Sequence, residues 1–476
     1  MANYETTRRR ENIAHSHQLD LRIELLVSLV NMIRIKTWLS LIFIVASTSA
    51  LNAQTEKYHY QIIKESIYRD YTGMFREEGG ALTYPFMTPG SEEYNDVLWD
   101  WDSWLSNIAI RQILLNIGDE ELSNKAVRYE QGCVLNFLSF CGIDGWIPIN
   151  VKRDTDIDKL KPDNIYSTNM HKPCLAQHAA FLVGMSNGDA DWLREDFYKL
   201  QYFVNNYQYH QRDRATGLYF WNDSRGIGVD NDPSTFYRPP RSSGSIYLNC
   251  LMYKELQSMA YLAEQLGYVE ISKQYKIDAD NLKVAIREHC WDERDGFYYS
   301  VDLNLLPIQN ERWGQHSGAP RTWDCLIQRI GVWSGFMAMW AGIATPEQAK
   351  RMVEEHYNNE RTFNAPYGVR SLSKMEKMYN VKASGNPSSW LGPVWGISNY
   401  MTWRGLVDYG YEEEARELAI KTVNMFGRDL NKTGIMHEYY EPDTGMPILN
   451  PGFKNWNYLV INMIAWLEGE DTIHEF

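Results

Sequence analysis

From about residue 100 onward, apolar residues recur at i, i+3 and i+4, the spacing that lines one face of an α-helix. The runs are Trp104–Ile117, Leu122–Phe140, Cys174–Met185, Trp192–Tyr207, Ile246–Leu266, Ile271–Cys290, Val332–Ile343, Pro346–His356, Trp395–Tyr409, Glu412–Met425 and Trp456–Leu467. Alternation of period two, the mark of a half-buried strand, is confined to Leu218–Trp221 and Phe297–Val301. The helical runs come in pairs joined by short turns such as Asn116-Ile117-Gly118-Asp119 and Leu266-Gly267. One turn element recurs imperfectly between them: Arg214-Ala215-Thr216-Gly217, Glu293-Arg294-Asp295-Gly296 and Pro442-Asp443-Thr444-Gly445. No linker rich in Pro, Gly or Ser divides the region. The pattern predicts one all-α domain over 54–476, a closed (α/α)6 toroid of paired helices with short β-hairpins in its loops. An open solenoid fits less well, because no repeat of roughly 30–45 residues is visible.

The N-terminus reads differently. Met32 to Ala53 has a short basic start (Arg34, Lys36), an apolar run through Val45, then small residues. This is the layout of a secretory signal peptide, and the run falls short of the roughly 20 residues that span a bilayer. The polar segment 1–31, with Arg8-Arg9-Arg10, is expected to be an extension outside the fold. A membrane-anchored chain with a cytoplasmic tail is the alternative. The signal reading implies a periplasmic or secreted protein with no stable membrane span.

Composition narrows the chemistry. A net charge of −14 and the lack of a long Lys/Arg block argue against nucleic-acid binding. Trp stands out at 17 of 476 residues, against a usual share of roughly 1–1.5%. Indole and phenol faces stack on sugar rings as readily as they fill a core. Six scattered Cys show no zinc spacing. Asp154, Asp156 and Asp158 alternate as a calcium loop begins, but Lys159 stands where that loop needs Gly. No metal and no cofactor are expected.

In a toroid the mouth of the ring is built by the loops between helices, so function should sit where those loops collect Trp and carboxylates. Four loops qualify. Trp99-Asp100-Trp101-Asp102-Ser103-Trp104 enters a helix, where Asp and Ser also serve as caps. Trp221 to Pro233 carries Asp223, Asp230 and Asp232 among turn residues. His437-Glu438-Tyr439-Tyr440 places a carboxyl among aromatics, which raises its pKa if they desolvate it. Pro387-Ser388-Ser389-Trp390-Leu391-Gly392-Pro393-Val394-Trp395 is the fourth.

At these loops the chain resembles glycoside hydrolase family 63 and, more distantly, the family 37 trehalases. The resemblance runs from about Tyr84 to the C-terminus. It rests on Leu98-Trp99-Asp100-Trp101-Asp102-Ser103-Trp104, His171-Lys172-Pro173-Cys174-Leu175-Ala176, Gly228-Val229-Asp230-Asn231-Asp232-Pro233, Leu248-Asn249, Tyr367-Gly368-Val369-Arg370-Ser371-Leu372-Ser373, Trp390-Leu391-Gly392-Pro393-Val394-Trp395 and Glu438-Tyr439-Tyr440, in the family's order. It implies an (α/α)6 toroid and hydrolysis of an α-glucoside or α-mannoside with inversion, acting from the chain end. By motif position it implies Asp230 as general acid, with Asp232 a less favoured candidate, and Glu438 as general base. It places sugar contacts on Trp99, Asp100, Trp101, Asp102, Gly228 and Trp390. Lys172 stands where the family often has Gln, and Ser389-Trp390-Leu391-Gly392 where it often has Tyr-Trp-Arg-Gly. Lys172 and Arg241 are candidates to attract an acidic aglycone. The chain looks most like the compact members, among them hydrolases of mannosyl- and glucosylglycerate.

Inverting hydrolysis needs two carboxyl groups roughly 6.5–9.5 Å apart, one protonating the leaving oxygen and one activating water on the opposite face. The expected partner is therefore a carbohydrate. Two other readings stay open on sequence: a secreted carbohydrate-binding protein, and a toroid polysaccharide lyase or epimerase using His171, His178 or His437.

Overall fold

A computed structural model describes residues 15, 25–32, 34, 37–38, 54–91, 94–305, 323–382 and 388–476. Contacts divide the chain into a first unit, Met1–Tyr58, and a second, His59–Phe476. The expected extension 1–31 and signal segment 32–53 lie largely outside the described residues. Among the described residues, no helix is long and apolar enough to cross a membrane.

The second unit is built from helical pairs: α1 (Asp100–Ile117) and α2 (Glu120–Ser139), α3 (Leu175–Met185) and α4 (Phe197–His210), α5 (Ile246–Gln265) and α6 (Val269–His289). Then follow α7 (Met337–Trp340, entered through the 3₁₀ turn Trp333–Phe336) and α8 (Pro346–Arg351, continued by a wider π turn, Met352–Tyr357). The last are α9 (Gly396–Asp408), α10 (Glu412–Thr433) and α11 (Val460–Glu468, entered through the 3₁₀ turn Asn455–Leu459). The odd-numbered helices pack neighbour to neighbour around a ring, and α11 returns to α1. This is the predicted (α/α)6 toroid.

Burial separates the two layers. In α1, every residue from Asp100 to Ile110 is buried, and in α9 every residue from Gly396 to Leu406. In α10 up to residue 424, burial falls on Ala415, Leu418, Ala419, Thr422 and Val423, one stripe of an amphipathic helix. The sixth outer place is taken by a helix ending at residue 70. Its Lys64 pairs with Glu468 of α11, its Tyr68 hydroxyl accepts from Asn116 of α1, and its His59 Nδ1 lies 2.8 Å from Asn424 Oδ1 of α10.

Short hairpins fill the loops. Val97–Trp99 pairs antiparallel with Asn150–Lys152, and Val394–Trp395 with Tyr439–Tyr440, which in turn pairs with Pro447–Leu449. Phe297–Val301 is two strand ends, Phe297–Tyr298 and Val301–Asp302, belonging to different sheets. Leu218–Trp221 is not a strand: a single bridge joins Tyr219 to Arg212, because Asn249 of α5 takes the backbone of Tyr219 with its amide (2.8 and 2.9 Å). The recurring turn is real. The amides of Gly217, Gly296 and Gly445 bond the carbonyls of Asp213, Asp292 and Glu441, at 2.9, 2.8 and 2.8 Å. All three glycines have φ near +70°, where a Cβ is disfavoured. All six cysteines are free. Asp156 of the acidic run caps the short helix Ile157–Leu160.

Candidate active site

A cavity of about 120 Å³ opens where the inner helices begin. It is lined by residues from every candidate loop: Trp99, Trp101 and Asp102; Gly226, Gly228 and Asp230; Ser388 and Trp395; and Glu438. Lys172, Ile149, Tyr94 and Trp456 complete the lining. Asp230 and Glu438, more than two hundred positions apart, thus meet at one space.

Each carboxyl is delivered by a local device. Asp102 sits in the first turn of α1, whose end is fixed by the strand Val97–Trp99. Asp230 follows Gly228, whose φ of +88° belongs to the left-handed region. A Cβ at Gly228 would lie 2.7 Å from Lys172 Cε and 2.8 Å from Trp101 Cζ2, so the loop backbone rests on those two side chains. Glu438 precedes the central strand of the three-stranded sheet, and its amide bonds the Leu449 carbonyl at 3.1 Å.

Electrostatics sets Glu438 and Asp102 apart from surface carboxyls. Burial pushes Glu438 up to about 8; the bond from Asn450 opposes the rise, Asp102 and Asp230 add to it, and Tyr94 opposes it. Burial and then the Asp100 carboxylate push Asp102 up to about 7, against the pull of Lys172 and the Asn455 amide. Asp232 does not line the cavity. Its Oδ1 accepts from the Ser234 amide at 2.7 Å, and burial pushes it up to about 6.

Aromatic walls surround the carboxyls. Trp395 stacks on Trp390 at 4.0 Å and 6°, and on Tyr439 at 4.5 Å and 22°. Trp101 and Trp456 meet edge to face at 5.1 Å. The buried indole N–H groups of Trp99 and Trp456 have no partner among the described residues.

Three predicted contacts lie elsewhere. Trp390 is behind the wall, braced between Trp395 and Trp333, with Trp395 taking the place at the cavity. Asp100 is buried beneath the wall, both its oxygens 2.9 Å from Lys172 Nζ. Arg241 is exposed, lies over the Phe220 ring and donates to the His210 carbonyl at 3.0 Å. Lys172 reaches the cavity with its charge already matched by Asp100 and without Arg241 beside it. None of the three histidines lines the cavity. Burial holds His171 down at about 4 and His178 at about 3, and His437 Nδ1 is 2.9 Å from Asp429.

Sequence reading missed Tyr94, Ile149, Gly226, Ser388, Trp395 and Trp456 as wall residues. A signal existed for two of them. All inner helices start at the same mouth, and Trp101, Trp333, Trp395 and Trp456 each stand within two residues of such a start.

Known proteins share this fold. The crystal structure of the GH63 mannosylglycerate hydrolase of Thermus thermophilus in complex with glucose has a TM-score of 0.60 over 83% of this chain and 99% of that one, at 21% identity, a likeness of fold. A probable trehalase of Eremothecium gossypii is 29% identical over 213 residues, 42% of this chain and 26% of that protein. Mannosylglycerate hydrolase MGH1 of Selaginella moellendorffii is 24% identical over 248 residues, 51% of this chain and 42% of that protein. The chain spans less than half the length of these two curated relatives. Residues 94–458 match the mannosylglycerate hydrolase MGH1-like glycoside hydrolase domain, and the chain belongs to that family.

Proposed function

We propose that the protein is an inverting α-glycosidase that removes a terminal glucosyl or mannosyl unit, with Asp230 as general acid and Glu438 as general base. The observation that carries the reading is the meeting of these two carboxyls at one small Trp-walled cavity. Protonated Asp230 gives its proton to the departing glycosidic oxygen. Ionised Glu438 takes a proton from the water attacking the anomeric carbon from the opposite face. Asp102 and Lys172 hold the sugar hydroxyls. Trp101 and Trp395 exclude bulk water. A cavity this small with aromatic walls supports action on one terminal ring.

The raised Glu438 couples the reaction to pH. The base acts only when ionised, so kcat/KM rises with pH through a limb set by Glu438 and its carboxyl neighbours together. Glu438 stands at about 8. The limb is therefore expected well above the range of a solvated glutamate.

The test is proton NMR of fresh product from aryl α-glucoside, aryl α-mannoside, mannosylglycerate and glucosylglycerate. The expected result is the β-anomer appearing first from at least one of them. Initial α-anomer, or an unsaturated ring, would reject the mechanism. Export is part of the same reading: cleavage near Ala53, visible as the mass of the mature chain in a periplasmic or culture fraction, is expected.

A further inference from the structure

Among the described residues, five that are not glycine have positive φ: Asp96, Asn187, Arg241, Asn450 and Asn455. Two of the five lie in one short segment, Asn450-Pro451-Gly452-Phe453-Lys454-Asn455, between the last strand and the entry to α11. Each of those two directs its amide at a carboxyl of the cavity. Asn450 Nδ2 bonds Glu438 Oε2. Asn455 Nδ2 bonds Asp102 Oδ1, while its own oxygen accepts from the Ser106 hydroxyl at 3.1 Å. Backbone held in sparsely populated conformations persists where surrounding structure enforces it, and such residues gather at functional sites.

The enforcement is visible. Gly452 and Phe453 both donate to the Met436 carbonyl (2.8 and 3.2 Å), two residues before Glu438. Lys454 is held by the carbonyls of Pro89 and Asp70, at 3.2 and 3.0 Å. Phe453 sits edge-on to Tyr94 (5.9 Å), whose hydroxyl is 3.4 Å from Glu438 Oε2 and 3.4 Å from Asn450 Nδ2. Asn450 φ is +54° and Asn455 φ is +30°.

We propose that the segment Asn450–Asn455 is a positioning element that sets the two cavity carboxyls independently, Asn450 orienting Glu438 and Asn455 orienting Asp102. The inference rests on the reading of Glu438 as base and Asp102 as sugar ligand. With Oε2 engaged by Asn450 and Tyr94, the other carboxyl oxygen of Glu438 is left to meet the attacking water. The amide donor favours the ionised carboxylate, opposing the burial that disfavours it. The groups facing Glu438 across the cavity are Asp102, Asp230, Lys172 and Tyr94, with Tyr439 beside it in the strand. Asn455 does the same for Asp102, whose task is to hold sugar rather than move a proton.

The two clamps therefore predict different kinetic signatures. Glycine accepts positive φ, so Asn450→Gly and Asn455→Gly delete the amides while keeping the turn. Asn450→Gly is expected to lower kcat roughly tenfold to a hundredfold with KM little changed. It should also move the acidic limb of kcat/KM up by about one pH unit. Asn450→Asp should move the limb further in the same direction by adding a like charge. Asn455→Gly is expected to raise KM roughly tenfold and to leave the limb in place or lower it, because protonating Asp102 removes a charge that repels the Glu438 carboxylate. A merely structural segment would give both variants the same loss with no displaced limb, and that result, or normal kinetics in both, overturns the proposal. Glu438→Gln serves as control. If it stays active, the base assignment itself fails; if it is inactive while Asn450→Gly is normal, only the positioning role fails.

Discussion

Two buried glutamates show how the molecule divides its work. Glu475, near the C-terminus, accepts from Trp340 Nε1 and the Tyr400 hydroxyl, both at 2.7 Å, and from Arg404 Nε at 3.3 Å. Burial alone would raise its carboxyl, but Arg404, Tyr400 and Trp340 outweigh burial and hold it below the ordinary glutamate value. The Glu438 side chain is similarly buried yet receives only neutral donors, and it faces Asp102 and Asp230 across the cavity. Its carboxyl moves the other way. Similar desolvation leads to opposite outcomes because Arg404 bonds Glu475 directly, whereas Lys172, the cation at the Glu438 cavity, is paired with Asp100. The Glu475 network ties α7 and α9 to the chain end; the Glu438 cavity keeps charges poised for a reaction.

The largest effects should come from breaking the Glu438 side. Asp230→Asn and Glu438→Gln are each expected to reduce turnover of a natural-type glycoside by about 10³-fold or more, with the fold intact by circular dichroism. A substrate with a strongly acidic phenol as leaving group needs little protonation. Asp230→Asn should recover much of its rate on that substrate, and Glu438→Gln should not. Equal recovery by both would reverse or void the assignment.

On the Glu475 side the loss should be in stability. Glu475→Ala leaves Arg404 with Asp408 at 3.1 Å as its remaining carboxylate partner. It should cost about 3 kcal/mol in denaturant unfolding. Steady-state constants of the folded fraction should stay near those of the parent, and a selective loss of kcat would sink the contrast.

The two groups should also depend on pH with opposite sign. The folded Glu438 carboxyl stands at about 8 against an ordinary 4.5, so folding favours its protonated form. That contribution is fully present below 4.5 and is lost as pH rises toward about 8. Glu475, depressed, contributes above its ordinary 4.5, and its contribution is lost as pH falls through the folded value. Glu438→Gln should therefore gain thermal stability over the parent between about pH 5 and 8, by roughly 1–4 °C at the upper end. The Glu475→Gln deficit should shrink in acid. Melting curves across pH check both, and parallel profiles would refute the difference.

The smallest effects test the aromatic wall. Trp395→Phe, at the cavity, should raise KM by roughly three- to tenfold, and Trp390→Phe, one layer behind, by about twofold or less. The reverse order would place Trp390, not Trp395, against the sugar.

Much of this was readable along the chain. The helical runs fell where the helices are, since a period of 3.6 residues survives any tertiary arrangement. Val332–Ile343 and Pro346–His356 held as elements but opened in a 3₁₀ turn and ended in a π turn, variations that apolar spacing does not register. Leu218–Trp221 failed as a strand because alternation reports which side chains are buried, not whether a second strand lies alongside. In the site, the motif-bearing carboxyls Asp102, Asp230 and Glu438 converge, whereas Arg241 and Trp390 do not reach the cavity.

Local chemistry dictated the paired helices, the glycine turns at Gly217, Gly296 and Gly445, and the stock of Trp and carboxyl groups near helix starts. These follow from neighbours a few residues away. The folded ring settled what no short window holds: that Lys172 is matched by Asp100 beneath the wall, that Trp395 stands before Trp390, and that Asn450 and Asn455 clasp Glu438 and Asp102. Desolvation and Coulomb energy depend on distances in space, and closing the ring brings together groups separated by hundreds of positions.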